Sequence, residues 1–193
     1  MTTREKILNS ALTLFSKYGY DAASMEQIAE LVGIKAPSLY KHFKGKEDIL
    51  NELIALAEKR YEENFGSDSN PGKIPKSQEE FVRETMKKIR FTLDDEMIKK
   101  IRIFLVKEQF RNKRLARVTS MHQLEGLCRM YARIIEGMME KKLLRQNDAS
   151  MLALELISPA VLLVAKADRE PSSKKEVLDM IEKHLWHFCE VYK

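Results

Sequence analysis

Between Lys35 and Lys46 the chain places Lys35, Lys41, Lys44 and Lys46 together with His42, and no acid. Ser38 and Tyr40 add hydroxyls within the same stretch. This is the chemistry of nucleic-acid contact. Ammonium groups pair with phosphates, and hydroxyls reach phosphate or base edges. Any single lysine is usually a solvated charge; the cluster carries the signal. Tyr40 also reads as a lid on the apolar residues beside it, and His42 as a packing residue.

The elements that would position these residues are helical. Ser24 with Gln27 has capping-box spacing, and Ile28, Ala29, Leu31 and Val32 follow to Gly33. Gly33, Ile34 and Lys35 form a tight turn, and Pro37 suits the opening of a second short helix through Leu39, Tyr40 and Phe43. Two short helices across such a turn make a helix-turn-helix, whose second helix enters the major groove. Lys46 starts the next helix, where its ammonium and the terminal amides favour a phosphate. Ser24 is placed to do the same at its own helix start.

The motifs Ser24-Met-Glu-Gln-Ile-Ala29, Gly33-Ile34, Ser38-Leu39-Tyr40-Lys41-His42-Phe43 and Lys44-Gly45-Lys46-Glu47-Asp48-Ile49-Leu50 closely resemble the DNA-binding domain of TetR-family transcriptional regulators. The close match spans about residues 4–55, and the remainder matches in architecture alone. The resemblance assigns DNA contact to Ser24, Lys35, Ala36, Pro37, Ser38, Tyr40, Lys41, His42 and Lys46. Ala36 departs from the longer polar residue that many members carry there, which thins direct base reading.

The rest of the chain reads as helices too. The fold class is all-α: an N-terminal helix-turn-helix domain of three helices over 1–47, a connecting helix over about 46–65, and a helical effector-binding and dimerisation domain over 48–193. Thr2 and Glu5 cap the first helix, which ends near Gly19. Gly66–Lys76 reads as a loop. Further helices are expected over about 77–93, 95–110, 115–143, 148–167 and 172–192. No segment alternates with the period of a strand.

The resemblance implies a small apolar or amphipathic effector among residues 77–165, with Phe81, Phe104, Met121, His122, Cys128 and Tyr131 as candidate contacts. Bulky residues at helical spacing are more often core than pocket. It also implies a homodimer through the last two helices, with Leu156, Val161, Leu163, Ile181, Leu185, Trp186 and Phe188 as candidates. Apolar residues surround the helix after Asp148 on every side, and such a helix needs cover all round. Lys99 to Arg117 is strongly basic, with Glu108 as its one acid. That is a solvated face, or an attraction for an anionic ligand or further phosphates.

Composition narrows the alternatives. The 193 residues carry 34 Lys and Arg against 29 Asp and Glu, a net charge of +5, which permits an anionic partner without demanding one. Apolar residues at 44% supply a core, so the chain is not of the disordered class. The two cysteines, Cys128 and Cys189, sit in apolar helical patterns and read as buried thiols in a reducing cytoplasm. The apolar run Ile157–Ala165 falls short of a membrane span, and the N-terminus does not read as a signal peptide. No phosphate loop, nucleophile elbow or zinc helix occurs, so no enzyme, cofactor or metal is expected. His184 and His187 share a helix face without a further ligand at metal spacing. The expected function is a ligand-responsive repressor on a palindromic operator in double-stranded DNA. The rivals are a nonspecific architectural DNA binder without an effector, and an activator.

Overall fold

The computed structural model describes residues 1–66 and 73–193. Of the expected loop 66–76, residues 67–72 lie outside the described part. Ten α-helices follow one another, and no strand occurs among the described residues.

α1 (Thr3–Tyr18) opens on the expected capping box. Thr2 Oγ1 accepts from the Glu5 amide at 3.2 Å, and the Thr2 amide donates to Glu5 Oε2 at 2.8 Å. α2 (Met25–Val32) repeats the device with Ser24 and Gln27. Gly33 ends it at φ +77°, a left-handed cap that glycine adopts without steric cost. α3 (Ala36–Tyr40) begins one residue before the expected Pro37 and lasts five residues. α4 (Lys46–Phe65) and α5 (Gln78–Asp94) follow. Asp95 caps α6 (Glu96–Glu108) by accepting from the Ile98 amide at 3.0 Å.

One long helix expected over 115–143 is interrupted. α7 (Lys113–Ser120) passes into a π-helical turn at Met121–Glu125 before α8 (Gly126–Glu140). α9 (Ala149–Arg169) is capped by Asp148, and α10 (Lys174–Val191) closes the chain.

Two compact units result, one of Met1–Tyr61 with Asp95–Thr119, the other of Glu62–Asp94 with Ser120–Lys193. This differs from the division expected at residue 47. The physical reason is α6. Its Phe104 stacks on Phe15 of α1 with ring centroids 5.7 Å apart, and Lys107 Nζ donates to the Ser16 carbonyl at 2.6 Å. The first unit therefore builds its core from Ile7, Leu12, Phe15, Ile28, Leu39, Phe43 and Ile49 with Ile98, Phe104 and Leu115.

The second unit is a packed helical layer around Phe81, Met86, Tyr131, Ile135, Met138, Leu152, Leu156, Ile181, Leu185 and Phe188. α9 covers the helix expected over about 148–167, and at 21 residues it is long and apolar enough to span a membrane by length and composition alone. Its buried side, including Leu152, Ala153, Leu156, Ile157 and Val164, belongs to this core. Pro159 removes one amide from the helix. Around it, Ser158 Oγ donates to the Leu154 carbonyl at 2.6 Å, and His184 Nε2 bonds the Leu156 carbonyl at 2.9 Å. The imidazole of His184 is thus used to join α10 to α9.

Candidate nucleic-acid interface

A helix of five residues cannot hold itself, because nucleation consumes what so few hydrogen bonds return. α3 is held by its neighbours. Leu39 and Phe43 are buried in the first unit's core. Arg4, from the first turn of α1, grips the end of α3 by three contacts. Its Nη1 donates to the His42 carbonyl at 2.8 Å, its guanidinium lies 4.2 Å from the Phe43 ring centroid, and it forms a two-pronged ion pair with Glu52 of α4. The hydrogen bond to Glu52 raises the Arg4 pKa. A planar fork of donors suits a carboxylate and a carbonyl together.

With its inner face fixed, α3 leaves the expected contact residues outward. Tyr40 is 50% exposed, and Lys35, Pro37 and Lys41 are exposed. Ala36, Ser38 and His42 are half-buried beside them. Lys44, one turn past α3, is exposed too, and its amide is capped by Asp48 Oδ2 at 3.1 Å. Ser24 Oγ accepts from the Gln27 amide at 3.2 Å, and its side chain also hydrogen-bonds Glu26.

Lys46 is placed differently from expectation. Its Nζ donates to the Tyr20 carbonyl at 2.8 Å and the Asp21 carbonyl at 3.3 Å, and sits 4.7 Å from the Tyr20 ring centroid. The ammonium is spent on the joint between α1 and α2. α6 holds the same joint from its other side: Glu108, 4% exposed, accepts from the Tyr20 amide at 3.3 Å. Gly19, at φ +90°, brings the backbone so close that a Cβ there would lie 2.8 Å from Glu108 Oε1. Burial leads the causes that raise the Tyr20 phenol pKa.

The basic stretch 99–117 follows the same pattern. Lys100 Nζ reaches Thr13 Oγ1 at 3.4 Å, Lys107 bonds Ser16, and Arg114 pairs with Glu47 and bonds the Asn51 side chain. These cations tie α6 and α7 to α1 and α4 within the first unit. Arg4, Tyr20, Glu108 and Arg114 were missed in the sequence because their partners stand 26 to 88 positions away. Only its place as the one acid in a basic run singled out Glu108 in the sequence.

The residues expected to line an effector site are split. Phe104 belongs to the first unit's core and is apart from the others. Phe81 and Tyr131 meet edge to face at 6.4 Å in the second unit. Burial pushes the Tyr131 pKa up to about 12, with the Thr85 hydrogen bond acting the other way. Met121 and His122 lie half-buried on the π turn, and Cys128 is half-buried one turn on, its thiol pKa raised by burial.

The expected partner surface is likewise corrected. Leu156, Ile181, Leu185 and Phe188 are covered by their own chain, at 3% exposure or less. A helix apolar all round finds its cover partly in α8 and α10. Val161 and Leu163 are half-buried and Trp186 is 40% exposed.

Comparison with known proteins agrees with this geometry. Residues 7–53 match the family model for "Bacterial regulatory proteins, tetR family". The negative transcriptional regulator IcaR of the biofilm operon icaADBC from Staphylococcus epidermidis is 28% identical over 141 residues, which is 56% of this chain and 76% of that protein. IcaR from Staphylococcus aureus is 43% identical over 51 residues, but this covers only 26% of this chain and 27% of that protein. A putative TetR-family regulator from Mesorhizobium loti has the same fold at TM-score 0.74 and 22% identity, over 98% of this chain and 96% of that one. SmeT, the repressor of the Stenotrophomonas maltophilia multidrug efflux pump SmeDEF, does so at TM-score 0.71 and 17% identity, over 100% and 91%. With its helix-turn-helix held as described, the chain carries over residues 7–53 the domain described as bacterial regulatory proteins of the tetR family, and its fold is that of the TetR-family structure it matches.

Proposed function

We propose that this regulator is a dimeric repressor that binds a palindromic operator and leaves it when a small molecule occupies the second unit. The observation that carries the reading is the fixed α3, with Lys35, Tyr40 and Lys41 outward and no acid from Lys35 to Lys46. Phosphate contacts by lysines set affinity and register, and side chains of α3 read base edges. The chain acts in the cytoplasm, where its DNA is, and catalyses nothing.

Repression is supported by what the relatives are: IcaR is a negative regulator and SmeT a repressor. Effector binding is supported by the structure of SmeT with triclosan and by the flavonoid-responsive regulator FrrA, which share this fold. Dimerisation is supported by the exposed apolar residues of α9 and α10. Leu162 is 70% exposed, and Leu154, Met180 and Trp186 are exposed as well. These, with Val161 and Leu163, form the partner surface, because two half-sites then bind with the symmetry of the protein. The effector would lower DNA affinity by its differential affinity for the two states and no more.

The test is capture of fragmented genomic DNA by the purified chain at near-physiological salt, followed by sequencing. A shared palindrome is expected. Recovery without any common motif would establish a nonspecific DNA binder, and a palindrome whose neighbouring gene falls silent without the protein would establish an activator.

A further inference from the structure

In the second unit, Lys88 of α5 is half-buried, and among the described residues no carboxylate forms an ion pair with it. Its Nζ donates to the Phe65 carbonyl at 3.3 Å, lies 4.0 Å from Met130 Sδ of α8, and stands 5.6 Å from the Phe65 ring centroid. An ammonium has three donors. Here one meets a carbonyl at long range, and the rest face sulfur and aromatic carbon. The acid one turn back, Glu84, is drawn through Oε1 to Lys87 at 2.9 Å and Arg83 at 3.1 Å and acts on Lys88 only through its charge. Burial lowers the Lys88 pKa, with Glu84 opposing only at a distance. Around the ammonium the surface is apolar and incompletely covered. Phe91 packs edge-on against Phe65 at 6.1 Å, and Phe91 and Met130 are half-buried.

A cation kept from water and left unpaired costs stability that an arriving anion would recover. From this juxtaposition we infer that Lys88 is the head-group site for an effector that is an amphipathic organic anion, a carboxylate on an apolar body, with Phe65, Phe91 and Met130 taking the body. The inference rests on the effector-released reading above. Methionine and aromatic surfaces suit apolar groups of varied shape, and the ammonium supplies the selection for charge.

The alternative role for Lys88 is purely structural, as a cation closing the carbonyl end of α4. Two measurements on the full chain separate them. In the first, Lys88→Met and Lys88→Gln are melted without ligand. They melt at or above the wild-type temperature if the ammonium is kept for a ligand; a fall of several degrees in both makes Lys88 a helix cap and overturns the site. In the second, calorimetric titration compares carboxylates with their neutral amides: decanoate against decanamide, and 2-naphthoate against 2-naphthamide. At least one acid is expected to bind wild type about tenfold or more tighter than its amide, a preference of the size a charge-assisted bond confers. Lys88→Met should bring that acid down to its amide, and Lys88→Arg should keep the preference. Equal binding of acid and amide, an acid preference that survives Lys88→Met, or binding of neither pair overturns the proposal. DNA binding by wild type is read separately by fluorescence anisotropy. Loss of that signal with the calorimetry intact would sink the regulator and spare the site; the reverse would sink the site alone.

Discussion

The two units of this chain spend their residues differently. The first is laced with long-range charged and polar bonds: Arg4 to Glu52 and His42, Lys46 to Tyr20, Glu108 to Tyr20, Lys107 to Ser16, Arg114 to Glu47. The second has an apolar interior of aromatics, methionines and leucines, with ion pairs such as Lys174 to Asp94 on its rim. The contrast follows from the task. A five-residue recognition helix must present its side chains in one geometry, and directional bonds from neighbouring helices hold it there. The effector site proposed for the second unit would call for adaptable packing more than for directional bonds.

The largest test of this contrast is in the second unit. Phe188→Ala removes a ring 3% exposed and should cost about 3–5 kcal/mol, nearly independent of salt. Urea denaturation at low and high salt measures it. A strong salt dependence would show that charge, not packing, holds the unit.

Next is Gly19→Ala. The positive φ and the approach of Glu108 should together cost about 1–3 kcal/mol. Adding Glu108→Ala relieves the contact but leaves the φ strain, so only part of the loss should return. Full recovery in thermal melts would mean the backbone stores no strain there.

Arg4→Met keeps the stem and deletes the charge. Its ion pair is partly exposed, so the expected loss is about 1–2 kcal/mol. Salt should shrink that loss, and Arg4→Lys should restore only part of it, because an ammonium lacks the fork. DNA affinity should fall more than stability does, since the His42 carbonyl at the end of α3 is released.

The smallest effect concerns Tyr131. Its folded pKa, about 12, lies above the ordinary value of 10.0, so the fold favours the neutral phenol. That contribution is complete below pH 10 and is lost as pH rises through about 12. At pH 11 the wild type should have lost about 1 kcal/mol from this group, and Tyr131→Phe should lack that loss. Parallel pH profiles for the two proteins would deny the phenol its buried, neutral state.

Much of the first unit was legible in the sequence because its signals are local. Thr2 with Glu5, Ser24 with Gln27, and Gly33 act over three or four residues, and the structure shows each of them. What escaped acts over distance. Nothing near Glu108 announces Tyr20, and nothing near Phe104 announces Phe15, so α6 was assigned to the wrong neighbourhood. The π turn at Met121–Glu125 also has no period of its own to read. In the second unit, apolar periodicity marks which helices are buried but not by what. Leu156 and Ile181 therefore read as partner surface, where their own chain covers them.

The first unit divides its cations between exposed ones, proposed to meet DNA, and those that hold the fold. Lys35 is exposed at the start of α3; Lys46 is bound to the Tyr20 and Asp21 carbonyls. The direct measurement is the salt dependence of operator binding by fluorescence anisotropy, for wild type, Lys35→Ala and Lys46→Ala. Lys35→Ala should weaken binding and reduce the slope of log affinity against log salt by about 1. Lys46→Ala should weaken binding with the slope unchanged. A slope that falls for Lys46→Ala and holds for Lys35→Ala would contradict the account.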